Sequence, residues 1–180
     1  MSEADIRVHR GSSHDPEQLQ SAFRQAMRRL AGGVAVVSTM HDDVRHGMTV
    51  TAVTSLTMDP PALAVSVNRH ASAFEAFIRS KRFCVNLLTH QHTNLAVAFS
   101  RKPDGDARFA SGEWRINDAG LPSLEGSVAS ITCRLHDLAE FGTHAILIGA
   151  VEHLELEPQQ PTAPLIYLSG QFGRFWPLSA

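Results

Sequence analysis

The apolar residues of the chain recur with two different periods, and each period predicts a different kind of element. Apolar residues three or four positions apart predict a first helix that is capped by Asp15 and ended by Gly32-Gly33. Two shorter helices are predicted over 72–80, with Ser72 as the cap, and over 92–100. Helices therefore account for a minor part of the predicted structure.

A period of two dominates the remaining segments. It predicts strands over residues 33–40, 47–58, 62–68, 83–88, 127–141, 143–157 and 164–172. Gly142 separates the two longest runs as a hairpin, and several strands follow one another with no helix between them. This order predicts a mainly β fold with short helices, built as an antiparallel barrel of six or seven strands rather than a doubly wound parallel sheet.

One alternating stretch, GMTVTAVTSLTMDPP over residues 47–61, has an unusual polar face. Met48, Val50 and further apolar residues share one face of the predicted strand, and threonine and serine hydroxyls share the other. No charged residue occurs from Gly47 to Met58, although a strand that faces bulk water usually carries lysine or glutamate. Neutral hydroxyls and strand-end N–H groups suit a planar polar ligand. The stretch is therefore either an ordinary threonine-rich strand or one wall of a ligand site.

The composition is that of one ordinary globular domain. The chain has 180 residues, of which 43% are hydrophobic and 19% are charged, and its formal net charge is -2. This balance gives no electrostatic argument for a nucleic-acid partner, and no apolar run approaches the roughly 20 residues of a membrane span. Residues 1–14 are polar and mixed in charge, so we predict a disordered arm there rather than a signal peptide, followed by a single domain over residues 15–180.

The two cysteines, Cys84 and Cys133, lie inside apolar runs and match no metal or redox motif. We expect both to be buried free thiols, because free cysteine is among the most buried residue types. Thiols without a disulfide framework suit a reducing compartment, which predicts a cytoplasmic protein.

The histidines give one candidate for chemistry. His90 and His92 lack a third ligand at a recognisable spacing, so no metal site is predicted, and nucleophile-elbow, Rossmann and P-loop signatures are missing as well. His144 opens the second strand of the predicted hairpin, where it shares a face with Ile146 and Ile148. A histidine on an apolar face is more often structural than functional, so the pattern alone leaves its role open.

The order of these segments resembles the short-chain flavin reductases, which are the reductase components of two-component flavin-dependent monooxygenases. The block GMT-x(6)-L-[ST]-x-[DE]-PP, followed by F-x-VN-L-L, is the most specific part of the resemblance, which spans roughly residues 23–170. The other matching segments are FRQAMRRLAGGVAVVST, SAFEAFIRSKRFCVNLL, AFS, ARF with Trp114, GSVASITCRL, THAILIGAV and PLIYLSG. The resemblance implies the FMN-binding split barrel, an antiparallel barrel of Greek-key type.

The resemblance also implies a homodimer that binds FMN or FAD near the subunit interface, with NADH or NADPH as co-substrate. By motif position, the flavin-binding residues would be Gly47, Met48, Thr49, Thr51, Ala52, Ser66, Val67, Asn68, Ser72, Ala73, Phe99 and Arg101. Of these, Ser72 and Ala73 would hold the phosphate at a helix start, where anions are favoured. Phe99 and Arg101 would lie near the phosphate or adenylate end.

For His144 the resemblance implies a catalytic role at the place where nicotinamide binds. The family commonly has Gly-Asp-His at this hairpin, and here Thr143 replaces the acid. The implied reaction transfers a hydride from nicotinamide C4 to flavin N5 and supplies reduced flavin to a partner monooxygenase. Two alternatives share the barrel, namely a flavin- or haem-binding protein without turnover and a pyridoxamine-phosphate-oxidase-like oxidase.

Overall fold

The computed structural model describes residues 15–101, 106–156 and 163–176, and the disordered arm predicted over residues 1–14 lies outside them. The helices are α1 (Pro16–Met27), α2 (Phe74–Ser80) and α3 (Thr93–Ser100). The strands are β1 (Gly32–Gly33), β2 (Ala35–His41), β3 (Val44–Val50), β4 (Val53–Met58), β5 (Pro61–Asn68), β6 (Arg82–Leu87), β7 (Trp114–Ile116), β8 (Pro122–Leu124), β9 (Ala129–Phe141), β10 (His144–Leu156), β11 (Leu165–Leu168) and β12 (Gln171–Arg174).

Seven of the described strands form one antiparallel sheet in the order β3-β2-β6-β9-β10-β5-β4. The two edge strands, β3 and β4, follow each other in the chain. The Cα atoms of Val50 and Val53 are three residues apart, so they are separated by at most about 11 Å. The two edges therefore lie close together, and the sheet curls into a barrel that remains split between them. The mainly β, antiparallel split barrel predicted from the sequence is confirmed.

The short connection between β3 and β4 corrects the single strand predicted over 47–58. β3 ends at Val50 and β4 begins at Val53, so the alternating pattern runs through a corner at which the chain passes from one edge of the sheet to the other. Alternation still buries Val50 in β3, whereas Leu56 and Met58 in β4 are 54% and 77% exposed. A period of two indicates extended backbone, but it does not register a corner between two extended segments.

The core of the protein consists of two apolar clusters on opposite faces of β2. The cluster inside the barrel includes Val37, Val65, Val67, Phe83, Val85 and Leu147, and α2 adds Phe74 and Phe77 to it. The other cluster packs α3 against the opposite face of β2 and includes Val34, Val36, Leu95, Phe99, Phe109 and Leu165. Both clusters contain side chains that are fully buried, so β2 is covered on both faces.

Helix α1 forms as predicted, but it lies outside both clusters. The Asp15 carboxylate accepts a hydrogen bond from the Glu17 N–H at 3.2 Å and caps the helix. The helix ends at Met27, earlier than predicted, because Gly32-Gly33 belongs to β1 and pairs with β11. No residue of α1 is buried, and Phe23 is 64% exposed. The apolar face of α1 is therefore left largely uncovered by the other residues that the structure describes.

Two further predictions need correction, whereas the hairpin at Gly142 is confirmed. Ser72 does not cap α2, because the helix starts later and Ala73 occupies the N-cap without a side-chain hydrogen bond. The last predicted strand, 164–172, is the hairpin of β11 and β12, which turns at Ser169-Gly170 with positive φ angles at both residues. Strands β7 and β8 were missed because three residues are too few to show a period. Among the described helices, none has the length and apolar character needed to cross a membrane.

Candidate functional site

The corner between β3 and β4 brings the hydroxyl-rich stretch against β5. The Ala52 carbonyl accepts a hydrogen bond from the Ser66 N–H at 3.0 Å, and Val53 pairs with Val65 of β5. Ser66 lies opposite Ile146 of β10. Because Val65 is fully buried, its neighbour Ser66 is on the face of the sheet that points away from the core. Ala52, Ser66 and Ile146 therefore form a row across the outside of the barrel.

A crevice of about 900 Å³ lies between this row and α1. The corner contributes Thr51 and Ala52, the sheet contributes Thr54, Ala64, Ser66 and Ile146, and the helix side contributes Gln20, Phe23, Arg24, Met27 and Arg28. Neutral hydroxyls, apolar side chains and two arginines line the crevice, and none of the residues that line it is acidic. Its volume is within the range of small-molecule and cofactor sites, roughly 300–1,000 Å³.

A second crevice, of about 310 Å³, adjoins the first. Thr51 and Tyr167 line both, so they lie where the two crevices meet. The ring of Tyr167 packs against Phe172, with the ring centroids 5.2 Å apart. The other residues that line the second crevice are Thr49, Val50, Ser100, Gly170 and Phe172.

Of the flavin-binding residues predicted from the sequence, the structure places Thr49, Thr51, Ala52 and Ser66 in the lining of these crevices. Thr49 is also tied to α3, because its hydroxyl donates a 2.7 Å hydrogen bond to the Ala96 carbonyl. Thr51 and Ala52 are exposed at the corner and lie outside any strand. The site that the structure supports is thus centred on the corner rather than on the whole stretch.

Several other predicted contacts have side chains that point into the protein. Val67, Ala73 and Phe99 are buried, and Met48 packs against the cluster inside the barrel. Val67 alternates with Ser66 along β5, so the two side chains point to opposite faces of the sheet. Val67, Ala73 and Phe99 can therefore contact a ligand in the crevices mainly through backbone groups, and their place in the flavin site stays a prediction.

Gly47 is fixed by close packing on the side of β3 that faces α3. A Cβ atom at this position would lie 2.9 Å from the ring of Phe99. The Arg108 guanidinium donates a 2.8 Å hydrogen bond to the Gly47 carbonyl. Arg45, on the same strand, binds both carboxylate oxygens of Asp106 at 2.5 and 2.6 Å, and this hydrogen bonding lowers the pKa of the Asp106 carboxyl. These contacts hold the segment after α3 against β3.

His144 lies at the tip of the β9–β10 hairpin, exposed, and on the same face of β10 as Ile146. Its Nδ1 is 3.0 Å from the Thr143 hydroxyl. The tip is tied to the end of β5, because the Arg69 N–H donates to the Thr143 carbonyl at 3.0 Å and the Arg69 guanidinium pairs with Glu140 at 3.1 Å. Since residues two apart on a strand are separated by about 7 Å, His144 lies one step beyond the row that lines the larger crevice.

Asn68, Ser72 and Arg101 are not among the residues that line either crevice. The Asn68 side chain accepts a 2.9 Å hydrogen bond from the His70 N–H and so stabilises the turn after β5. Ser72 and Arg101 are exposed. Asn68 lies opposite His144, one step beyond Ser66 on the same face of β5, whereas Ser72 and Arg101 are outside the lining of both crevices.

The comparisons with known proteins agree with this geometry. The family described as "Flavin reductase like domain" matches residues 27–175. The chain belongs to this family. The family predicted from the sequence is thus confirmed, together with its class of enzyme, a flavin oxidoreductase.

Two relatives and one solved structure illustrate how similar the members of this flavin reductase family are to the chain. FMN reductase (NADH) RutF 2 of Methylorubrum extorquens (strain PA1) is 42% identical over 143 residues, which are 79% of this chain and 83% of the relative. The reductase component of the FADH(2)-dependent resorcinol hydroxylase of Rhizobium sp. (strain MTP-10005) is 38% identical over 87% of this chain and 88% of the relative. Streptomyces globisporus C-1027 NADH:FAD oxidoreductase SgcE6 has a TM-score of 0.82 at 27% identity, covering 93% of this chain and 99% of that one.

In this flavin reductase-like domain, sequence reasoning missed Tyr167, Ile146 and the crevice-facing side of α1. Tyr167 is the only tyrosine of the chain, but nothing in its own segment shows that it meets Thr51. Ile146 could have been predicted, because alternation already placed it on the same face as His144. For α1, the helical period predicts an apolar face without saying which surface that face meets.

The cysteines of the domain lie away from the crevices, as buried free thiols, which confirms the prediction. Burial raises the pKa of Cys84 and of Cys133 to about 12, so neither forms a reactive thiolate near neutral pH. Within the described residues, no three His, Cys, Asp or Glu side chains come together as they would in a metal site. His92 instead has its Nδ1 3.2 Å from the Thr89 hydroxyl.

Proposed function

We propose that this chain is an NAD(P)H-dependent flavin reductase that supplies reduced FMN or FAD to a partner monooxygenase. The observation that carries the proposal is the crevice at the corner between β3 and β4, which has no acidic residue in its lining. There the hydroxyls of Thr51 and Ser66 lie across from the apolar side chains of α1 in a volume of about 900 Å³. Apolar walls with a few neutral polar groups suit a flavin, whose ring is planar and carries polar atoms along one edge.

The corner supplies fixed donors for the polar edge of the ring. A flavin held at the corner would supply N5 as the acceptor of the hydride from nicotinamide C4, and negative charge would then gather near its N1 and O2 atoms. Thr51 and the exposed backbone of Thr51 and Ala52 are available to donate hydrogen bonds to these atoms. Because the corner is held by the Ala52–Ser66 hydrogen bond, such donors stabilise the charge with little reorganisation. The transfer needs two rings held in contact, and no side chain of the protein has to act as an acid or a base.

His144 is the residue proposed to contact the nicotinamide. It is exposed, it follows the face of β10 that lines the crevice, and the Thr143 hydroxyl lies within hydrogen-bond distance of its Nδ1. When Thr143 donates to Nδ1, the proton of the neutral ring resides on Nε2, which can then donate to the carboxamide oxygen of the nicotinamide. A hydroxyl thus orients the ring at the position where the family commonly has a carboxylate.

The names of the relatives support the choice of substrates and partner. RutF 2 is named an FMN reductase (NADH), and SgcE6 an NADH:FAD oxidoreductase. These names favour NADH as the reductant of this chain and leave both FMN and FAD as acceptors. The Rhizobium relative is named the reductase component of a hydroxylase, which supports delivery of reduced flavin to a separate oxygenase.

A homodimer is also part of the proposal. Leu19, Phe23 and Met27 on α1, and Leu56 and Met58 on β4, are exposed on the two elements that border the larger crevice. Exposed apolar patches of this kind mark interaction surfaces. A second copy that covered them would remove apolar area from water, at about 25 cal/mol per Å², and would close the crevice over the flavin.

The proposal is tested by the rate of nicotinamide oxidation with each combination of NADH or NADPH and FMN or FAD. We expect turnover well above that of free flavin for at least one combination. A protein that binds flavin but gives no such turnover would be a non-catalytic binder, and the proposed function would be wrong.

The role of His144 has its own test. His144→Ala should raise the Michaelis constant for the nicotinamide several-fold and leave flavin affinity within about twofold. The reason is that the His144 side chain lies beyond the row of Ala52, Ser66 and Ile146, along which the flavin is proposed to bind. His136→Ala, at another exposed position of the same hairpin, is the matched control. Identical Michaelis constants in the His144 variant and the parent would count against a nicotinamide contact.

A further inference from the structure

Helix α1 forms the outer wall of the larger crevice, and polar contacts hold it at one end. No residue of the helix is buried, and Phe23 and Met27, which face the crevice, are 64% and 46% exposed. Within the described residues, every hydrogen bond or ion pair that joins the helix or its C-cap, Arg28, to another element connects Arg28 with Ser169. The position of this wall therefore depends on a single contact.

Backbone and side-chain groups both take part in the contact between Arg28 and Ser169. The Ser169 N–H donates to the Arg28 carbonyl at 2.8 Å, and the Ser169 hydroxyl donates to the same carbonyl at 3.3 Å. In the other direction, Nη2 of Arg28 donates to the Ser169 carbonyl at 3.3 Å. Carbonyl groups at the end of a helix have no partner within it, so the turn supplies donors that the helix end lacks.

The turn between β11 and β12 has the shape that this contact requires. Ser169 and Gly170 have positive φ angles, of 52° and 86°. A Cβ atom on Gly170 would lie 2.7 Å from Nη2 of Arg28, which is closer than such atoms approach each other. A side chain at position 170 would therefore strain the turn and push the guanidinium away. The glycine allows both the turn and the contact with Arg28.

The same turn belongs to a hairpin that borders both crevices. Tyr167 of β11 lines both, and Gly170 and Phe172 line the second one. The residue pair Gly32 and Tyr167 joins β1 to β11, a few residues after the end of α1. Arg28 thus holds the helix to the hairpin that carries Tyr167, and the outer wall and the junction of the crevices keep a fixed relation to each other.

Two other roles would account for Arg28 less well. The two core clusters contain no residue of α1, so the fold itself depends little on where the helix lies. The helix dipole favours a cation near the C-terminus, but Arg29 meets that condition equally and lines neither crevice. Neither role explains why the guanidinium is packed against the turn.

We propose that Arg28 is a positioning residue of the flavin site, an inference that rests on the proposed function of the crevice. By holding the end of α1 to the turn at Ser169, Arg28 keeps the apolar side of the helix facing Ser66 across the crevice. It acts through the position of the helix rather than through a contact with the ligand. The affinity for flavin therefore depends on Arg28, whereas the contact of the nicotinamide with His144 does not.

Arg28→Gln removes the hydrogen bond from the guanidinium and keeps a polar side chain. In the full chain we expect the affinities for FMN and for riboflavin to fall equally, by about fivefold, because a net hydrogen bond contributes up to about tenfold to an equilibrium constant. Quenching of flavin fluorescence measures both affinities. The losses should be equal because the helix is displaced, and FMN and riboflavin differ only in the phosphate.

Three further measurements on Arg28→Gln distinguish a positioning role from a general loss of stability. Amide hydrogens of α1 should exchange faster than in the parent. The melting temperature should fall by less than about 4 °C, the shift that 1 kcal/mol causes in a chain of this size. At saturating flavin, the Michaelis constant for the nicotinamide should stay within about twofold of that of the parent.

A second variant perturbs the same contact from the turn. Gly170→Ala places a Cβ atom against Nη2 of Arg28 and should also weaken FMN and riboflavin binding equally. Gly120→Ala is its control for backbone strain, because Gly120 has a φ angle of 77° and nothing lies within 4 Å of its added Cβ. Arg29→Gln is the control for charge, and both controls should bind flavin within about twofold of the parent. Arg28→Lys, which keeps a donor for the Ser169 carbonyl, should recover part of the loss.

The outcomes separate this inference from the proposed function. Unchanged flavin affinity in Arg28→Gln overturns the positioning role, and so does a loss confined to FMN, which would indicate a direct contact with the phosphate. A loss of affinity that accompanies a large fall in melting temperature, or dissociation of the parent's oligomer in sedimentation, also overturns it, because Arg28 would then act through folding or through a contact between copies. A parent protein that binds neither flavin contradicts the proposed function itself.

Discussion

Strands β3 and β4 come from one alternating stretch, and their surroundings differ. β3 has partners on both faces, since Val50 enters the cluster inside the barrel while Gly47 and Thr49 pack against α3. β4 pairs with β5 at the other edge of the sheet and leaves Leu56 and Met58 in solvent. The same alternating pattern therefore occurs in β3, which belongs to the core, and in β4, which is exposed. Alternation reports extended backbone, and the neighbours that the topology supplies decide which face is buried.

A substitution in the corner that joins the two strands should have the largest effect of those predicted here, a loss of flavin affinity. Thr51→Glu places a negative charge and added bulk in a crevice without acidic residues, so we expect flavin affinity to fall at least about a hundredfold, or about 2.7 kcal/mol. The fold should persist, because Thr51 is exposed. Fluorescence quenching by titration with FMN measures the affinity.

Ser55→Glu is the matched control, since Ser55 is exposed on β4 and does not line the crevice. Equal affinities of the Thr51 variant and the parent would place the flavin away from the corner. A comparable loss in the Ser55 variant would mean that the charge acts at long range rather than by contact.

The packing of β3 against α3 should give the next largest effect. In Gly47→Ala the added Cβ meets the ring of Phe99 at 2.9 Å and the Val37 carbonyl at 3.1 Å, so β3 and α3 must separate slightly. We expect the free energy of unfolding to fall by about 1–3 kcal/mol, as for other overpacked sites. Urea unfolding measures it. Gly173→Ala is the control, because nothing lies within 4 Å of its added Cβ, and equal losses at both positions would contradict close packing at Gly47.

Much of the barrel could be predicted because its strong signals are local. Gly142 marks a hairpin within the residues that form it, and the helical period of α1 is complete within its own segment. The corner at Thr51-Ala52 carries no such signal, since neither residue is a glycine or a proline and both continue the alternation. Pairing with other strands determines which edge of the sheet β3 and β4 each join. The local pattern of apolar residues carries no information about this pairing.

The difference between local signals and distant contacts also explains which residues of the crevice lining were missed. Of the residues that line the larger crevice, Thr51, Ala52 and Ser66 were predicted to bind flavin from motif positions, and alternation placed His144 beside Ile146 on β10. Arg24 and Tyr167 lie far from these residues in sequence and meet them only because α1 and β11 are carried to the outside of the corner. Val67 was assigned to the flavin because it belongs to the motif, although alternation with Ser66 already pointed its side chain inward.

The hydroxyl groups of β3 and β4 should contribute different amounts to the free energy of unfolding, and this difference should be smaller than the effects described above. Thr49→Val removes the 2.7 Å hydrogen bond to the Ala96 carbonyl, so we expect the free energy of unfolding to fall by about 1 kcal/mol. Thr54→Val is the matched control, because the exposed Thr54 hydroxyl donates only a 3.3 Å hydrogen bond to the neighbouring Ser55 carbonyl. Its loss should be below about 0.5 kcal/mol. Urea unfolding of the two variants side by side decides whether the hydroxyls of β3 and β4 have different roles, and equal losses would show that they do not.

The apolar side chains of β4 should show the smallest effect on folding. Leu56→Ser and Met58→Ser remove groups that are already in solvent, so each should change the free energy of unfolding of a single chain by less than about 0.5 kcal/mol. If these side chains cover a second copy, the variants should dissociate at concentrations where the parent is dimeric, which sedimentation measures, and their melting temperature should become more dependent on protein concentration. A large loss of stability that does not vary with concentration would instead place β4 in the core of its own chain. In that case the contrast between β3 and β4 would disappear, because both halves of the stretch would be buried by the fold itself.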